Sequence, residues 1–189
     1  MTLVSSQLGG LQLDPVSLET KFKLAYDSNN IYIGFASLIP PDGMKVFSLG
    51  HDGECWNQEC LELFIDSAGD RQVYYHFAWN PVDSSSYEAS NSQELSRLDP
   101  LYGKEDKSWN CKWEYLNDFD KSKNIWYSVV KIPFAAFATK PPQAGTVWNA
   151  NFAREHHTVS REVEFQIWSP NFESGSFHNR EILGELKFK

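Results

Sequence analysis

Apolar residues in this chain recur at every second position over short stretches. In 163–168, Val163, Phe165 and Ile167 fall on one side of an extended chain and Glu164, Gln166 and Trp168 on the other. The first set predicts a buried face. The second ends in a tryptophan, against its own polar character. Similar runs stand at "ETKFKLAY", "IYIGFAS", "CLELFID", "VYYHFAW", "WNCKWEY", "IWYSVVKI", "VWNANFAR" and "LGELKFK". Turn-forming "DSNN", "PPDG", "SAGD", "DKSKN", "PPQAG" and "ESGS" separate them. No long segment keeps a helical period, and "FAAFA" at 134–138 is followed by Pro141 and Pro142. The pattern predicts an all-β, antiparallel, jelly-roll-like β-sandwich of roughly nine or ten strands, with 1–189 as a single domain. Leu61, Leu63, Ile65, Phe77, Trp126, Val130, Phe152 and Ile167 are its predicted core.

One connection breaks the rhythm. From Asn80 to Ser108 the chain is mostly polar, with "DSSSYEASNSQEL" at its centre. It reads either as a surface excursion with a short helix near Gln93–Leu98 or as a loop bordering a binding site. Composition sharpens the picture. The 189 residues are ample for a sizeable core, and 13 Phe, 8 Tyr and 7 Trp make 15% of them aromatic. A net charge of −8 disfavours nucleic acid and anionic membranes and suits a neutral ligand. No apolar run is long enough to span a membrane, and the N-terminus has no signal-peptide pattern. Three cysteines, Cys55, Cys60 and Cys111, argue against a disulfide framework.

Several residues stand out as candidate chemistry. Trp168 shares its face with Glu164 and Gln166. Burial preference makes it core; phase makes it a flat ring on a polar face, which suits the C–H side of a sugar. Trp56 lies in a polar loop before "CLELFID", where Glu62 points away from Leu61 and Leu63. His76 lies opposite Tyr75 and Phe77 in phase, and Asn149 and Asn151 share a face opposite Trp148 and Phe152. Each has a plain alternative: lid, solvated carboxylate, surface histidine, edge-strand asparagine.

The order of these segments resembles the family 9 carbohydrate-binding modules and their β-sandwich relatives, from about Glu19 to the C-terminus. The resemblance is carried by "ETKFKLAYDSNNIYIGF", "CWNQECLELFID", "YYHFAWN", "WYSVVKIPFAAF", "WNANFAR" and "WSPNFESGSFHNREILGELKF". The segment 1–18 is atypical, lacking the family's opening Asp-Gly turn and tryptophan. The resemblance implies non-catalytic binding of a mono-, oligo- or polysaccharide, with Trp56 and Trp168 gripping the sugar. Glu62, His76, Asn151 and Arg154 would surround it. It also implies a fused or neighbouring glycoside hydrolase, a role in polysaccharide catabolism and an extracellular or periplasmic location.

Two other classes compete. A glycosidase would draw on Glu59, Glu62 or Asp66, although Glu59 and Glu62 have opposite phase. A protein-interaction sandwich would use the exposed aromatics without a sugar. Zinc held by His51, Cys55, Cys60 and Cys111 matches no strong spacing. Structural calcium is expected from the resemblance, with the acidic loops "HDGE" and "SAGD" as oxygen sources.

Overall fold

The computed structural model describes residues 1–5, 15–83, 85–93, 98, 100–101, 103–160, 163–170 and 176–189. The predicted helix near Gln93–Leu98 falls largely outside them. The chain forms two antiparallel sheets packed as a sandwich. The strands are β1 (Val4–Ser5), β2 (Thr20–Tyr26), β3 (Asn30–Leu38), β4 (Cys60–Asp66), β5 (Val73–Trp79) and β6 (Ser86–Ser92). They continue with β7 (Glu105–Asp106), β8 (Glu114–Asp120), β9 (Ile125–Pro133), β10 (Val147–His157), β11 (Val163–Ile167) and β12 (Gly184–Lys187). The smaller sheet runs β2-β3-β9-β8; the larger runs β1-β11-β10-β4-β5-β6-β7, with β12 also paired to β10.

Turn chemistry fixes the hairpins. Asp27 Oδ1 accepts from the backbone N–H groups of Asn29 (2.7 Å) and Asn30 (2.8 Å), closing the β2–β3 turn with an Asx motif. The β8–β9 turn uses Asp120 in the same way and places Asn124 at φ 53°, a left-handed position that asparagine tolerates.

The eight predicted core residues are all buried. Leu61, Leu63 and Ile65 of β4 and Phe77 and Trp79 of β5 meet Phe22, Ile33, Phe35, Trp126 and Val130 of the small sheet. Polar ties cross this layer. Trp79 Nε1 donates to Ser128 Oγ at 2.8 Å, linking β5 to β9. The polar connection after Asn80 is a correction: it supplies a strand, β6, to the large sheet. "SYEASNS" lacks apolar alternation because its side chains make polar contacts, such as Asn91 Nδ2 with the Gly103 carbonyl (3.1 Å). "WNCKWEY" is shifted too. Its tryptophans pack on the core from an irregular segment, and the strand begins at Glu114.

Candidate functional site

The outer face of the large sheet, the one turned away from the small sheet, carries the polar cluster. β4 projects Cys60, Glu62 and Phe64 there because Leu61, Leu63 and Ile65 point inward. The register sets His76 of β5 opposite Phe64, and Glu155 of β10 opposite Cys60. A short 3₁₀ turn at Cys55–Asn57 lifts Trp56 over this surface. Its ring stacks toward His76 (6.2 Å, 30°) and stands edge-on to Tyr87 (5.1 Å, 89°). Cys55, Cys60, Ala78, Tyr87 and Ala89 form the buried pad beneath it. A groove of about 190 Å³ opens beside Trp56, lined by Glu62, Glu155, Phe165, Ser176, Phe177 and His178.

His76 sits at the centre of the electrostatics, with one face stacked on Phe64 at 4.4 Å. Its Nε2 is 2.8 Å from Glu62 Oε2 and its Nδ1 is 2.6 Å from Glu105 Oε1. Burial pulls the imidazole pKa down, but the hydrogen bonds to Glu105 and Glu62 prevail and leave it at about 9. The ring is therefore an imidazolium donating to both carboxylates. Burial likewise raises Glu105, and its bond to His76 reverses this, holding the carboxyl down at about 2. The Tyr87 hydroxyl donates to the second Glu105 oxygen at 2.6 Å. Glu155 goes the other way: burial, then the charge of Glu62, pushes it up to about 9, so it is protonated at neutral pH. Glu62 Oε1 is buried and has no hydrogen-bond partner among the described residues.

The structure gathers Trp56, Glu62 and His76 and separates the other three predicted residues from them. Trp168 is a correction of phase. Ile167 pairs with Ala153, and Trp168 N donates to the Phe152 carbonyl at 2.9 Å, so Trp168 follows Phe152 into the inter-sheet layer. Its ring meets Phe152 at 5.5 Å and Phe22 edge-on at 6.0 Å. It fills the seam where β11 gives way to β12 along β10; a Cβ added to Gly184 would come within 2.7 Å of it. Its open edge borders a different groove, of about 460 Å³, together with Leu24, Tyr26, Ile31 and Phe188. Ile167 is buried as predicted but on the outer face, under Phe177 and Leu183.

Asn151 closes the same seam. Its Nδ2 donates to the Ser169 carbonyl (2.8 Å), and its Oδ1 accepts from Ser169 N (2.9 Å). Arg154 is wholly buried between the sheets. It donates to Glu59 Oε1 (2.6 Å), Thr20 Oγ1 (2.9 Å) and the Leu38 carbonyl (2.9 Å), which makes it a strut across the sandwich. Glu105, Glu155 and His178, which the residue pattern did not single out, take places in the cluster. Glu155 had a weak signal, a carboxylate on the same strand face as Asn151; Glu105 and His178 had none.

The proposed metal sources also sort out. In "SAGD" the Asp70 carboxylate accepts from Gln72 N (2.9 Å), and the preceding Asp66 accepts from the N–H groups of Ala68, Gly69 and Arg71 and from Asn149 Nδ2. At "HDGE", His51 and Asp52 stand with Glu88 of β6, whose carboxylate is engaged by His51 (3.0 Å) and Trp113 (3.1 Å). The histidine–cysteine zinc set is not assembled: Cys55 and Cys60 pack on the outer face, and Cys111 against the inter-sheet core.

The chain matches the model of carbohydrate-binding family 9 over residues 14–188. It belongs to that family. Three solved structures share the fold of this family 9 module. A candidate carbohydrate-binding protein from Bacteroides uniformis has a TM-score of 0.76 at 18% identity, covering 100% of this chain and 86% of that one. A family 9 module from Caldicellulosiruptor kristjanssonii in complex with glucose gives 0.60 at 17%, covering 98% and 84%. The same organism's module in complex with cellotriose gives 0.61 at 16%, covering 99% and 81%. No curated protein sequence matches the chain. Among the described residues, no helix is long and apolar enough to cross a membrane.

Proposed function

We propose that this family 9 module binds a saccharide without transforming it, in the groove between Trp56 and the Phe165–Phe177 side. The observation that carries the reading is Glu62 Oε1, a buried acceptor beside an indole with no donor among the described residues. A buried unsatisfied carboxylate oxygen is costly, and a ligand hydroxyl relieves it. A pyranose brings both that hydroxyl and a C–H face for the Trp56 ring. Glu155, pushed up by burial and then by the charge of Glu62, adds a second carboxyl group to the groove wall for a further hydroxyl. The glucose and cellotriose complexes from Caldicellulosiruptor kristjanssonii make glucose and short glucans the first ligands to try. In this reading Trp168 and Arg154 support the site from the inter-sheet side and Asn151 from the neighbouring seam, and the module works outside the cell, fused to or beside a glycoside hydrolase.

Glu62→Gln keeps the shape and loses the charged acceptor. A hydrogen bond to a charged group contributes about 1.5–3 kcal/mol, so saccharide affinity in calorimetry is expected to fall roughly tenfold or more. An unchanged affinity in the folded variant would refute the groove as the site. The Glu62–Glu155 pair favours one other reading, a glycosidase that uses these two carboxyl groups. Product release from a glycan panel that vanishes in Glu155→Gln would decide for it.

A further inference from the structure

Beside the groove, three metal-ligating side chains from distant parts of the chain converge. His76 Nδ1, Glu105 Oε1 and a His178 ring nitrogen all lie within 4.8 Å of one another. Glu105 Oε1 is 2.6 Å from His76 Nδ1 and 3.7 Å from His178 Nδ1. We propose that these three atoms form a binding site for a zinc-type divalent transition-metal ion, and the proposal stands whether or not a saccharide occupies the groove.

The donor set decides the class of metal. Two imidazole nitrogens and one carboxylate suit zinc and its neighbours; calcium and magnesium take oxygen shells. Ligands of a tetrahedral zinc ion at about 2.1 Å stand roughly 3.4 Å apart. The pair at 2.6 Å must open by under an ångström and the pair at 3.7 Å close slightly.

The surroundings fit a metal centre as well. Ligating histidines usually donate their second nitrogen to a carboxylate, which orients the ring. His76 Nε2 already points at Glu62 Oε2 at 2.8 Å. The second oxygen of Glu105 is fixed by the Tyr87 hydroxyl at 2.6 Å, and the Tyr74 hydroxyl, 2.9 Å from His178 Nδ1, must give up that nitrogen to the ion. Access is one-sided. The His76 side chain is 1% exposed, Glu105 19% and His178 43%. The open coordination position therefore faces the groove of about 590 Å³ that Tyr74, Asn91, Glu105, His178 and Arg180 line. Three protein ligands with one open position is the arrangement that leaves room for water or a ligand oxygen.

The test titrates Zn²⁺ alone into the metal-stripped full chain by competition with a chromophoric chelator, and Co²⁺ in parallel by visible absorption. One saturable site is expected, with the absorption of a four-coordinate cobalt centre. His178→Ala and Glu105→Gln, both checked for folding by thermal melts without metal, should each weaken it tenfold or more. His51→Ala, at the separate His51–Asp52–Glu88 cluster, should leave it unchanged. No saturable binding, binding indifferent to both ligand variants, or binding abolished by His51→Ala would each overturn the proposal.

Discussion

Arg154→Ala is expected to destabilise the protein by about 3–5 kcal/mol, seen as a fall in Tm of roughly 10 °C or more. The cause is Glu59. Its carboxylate is fully buried and holds Arg154 Nε at 2.6 Å, His156 Nδ1 at 2.9 Å and the His157 N–H at 2.9 Å. Removing the guanidinium strips that charge of its strongest partner and frees the Thr20 hydroxyl and the Leu38 carbonyl. Replacing one member of a buried pair costs more than the pair contributes, because the survivor cannot reach water. A double change, Arg154→Met with Glu59→Gln, should recover much of the loss. A saccharide-contacting arginine would behave otherwise: the single variant would stay stable and fail to bind. Unaltered thermal stability in Arg154→Ala would contradict the strut.

Trp168→Ala is the second large effect. The ring fills the seam over Gly184 and touches Phe22 and Phe152, so truncation leaves a cavity where β10 changes partners. A loss of about 3 kcal/mol is expected in denaturant unfolding, at the lower end of the range for tryptophan because part of the ring is exposed. Saccharide affinity of the folded fraction should stay within a few-fold of the parent, since Trp168 lines the groove of Leu24 and Phe188 and not that of Trp56. Retained stability with lost affinity would return Trp168 to the binding site.

These two residues also mark where sequence pattern stops being informative. The alternation in β4 and β5 was legible because each strand has one apolar face and one polar face, and the inward assignment of Leu61, Leu63 and Phe77 follows at once. In β11 the outer side is covered as well, with Ile167 under Phe177 and Leu183, and Trp168 lies inside. A period of two separates the sides of a strand but not which side meets the opposite sheet. β10 hides its polar residues for a related reason. Arg154, Asn149 and Asn151 are buried on partners far away in the chain, Arg154 on Thr20 and Glu59, Asn149 on Asp66. Trp56, Glu62 and His76 were legible as residues off the core face. Glu105 and His178 were not, because their roles depend on β7 and the segment before β12 folding back over the sheet. β6 escaped notice because polar side chains on a covered strand read like a loop.

The central claim is that the groove beside Trp56 is the saccharide site. Calorimetric titration of glucose and short glucans into the parent chain and Trp56→Ala tests it most directly. The indole rests on the buried pad of Cys55, Cys60 and Tyr87 but is partly exposed and outside the inter-sheet core, so its removal should lower the Tm far less than Trp168→Ala does. Loss of an aromatic anchor contributing about 2 kcal/mol or more should weaken binding at least thirtyfold. A folded Trp56→Ala variant that binds the same saccharide as tightly as the parent would contradict the account.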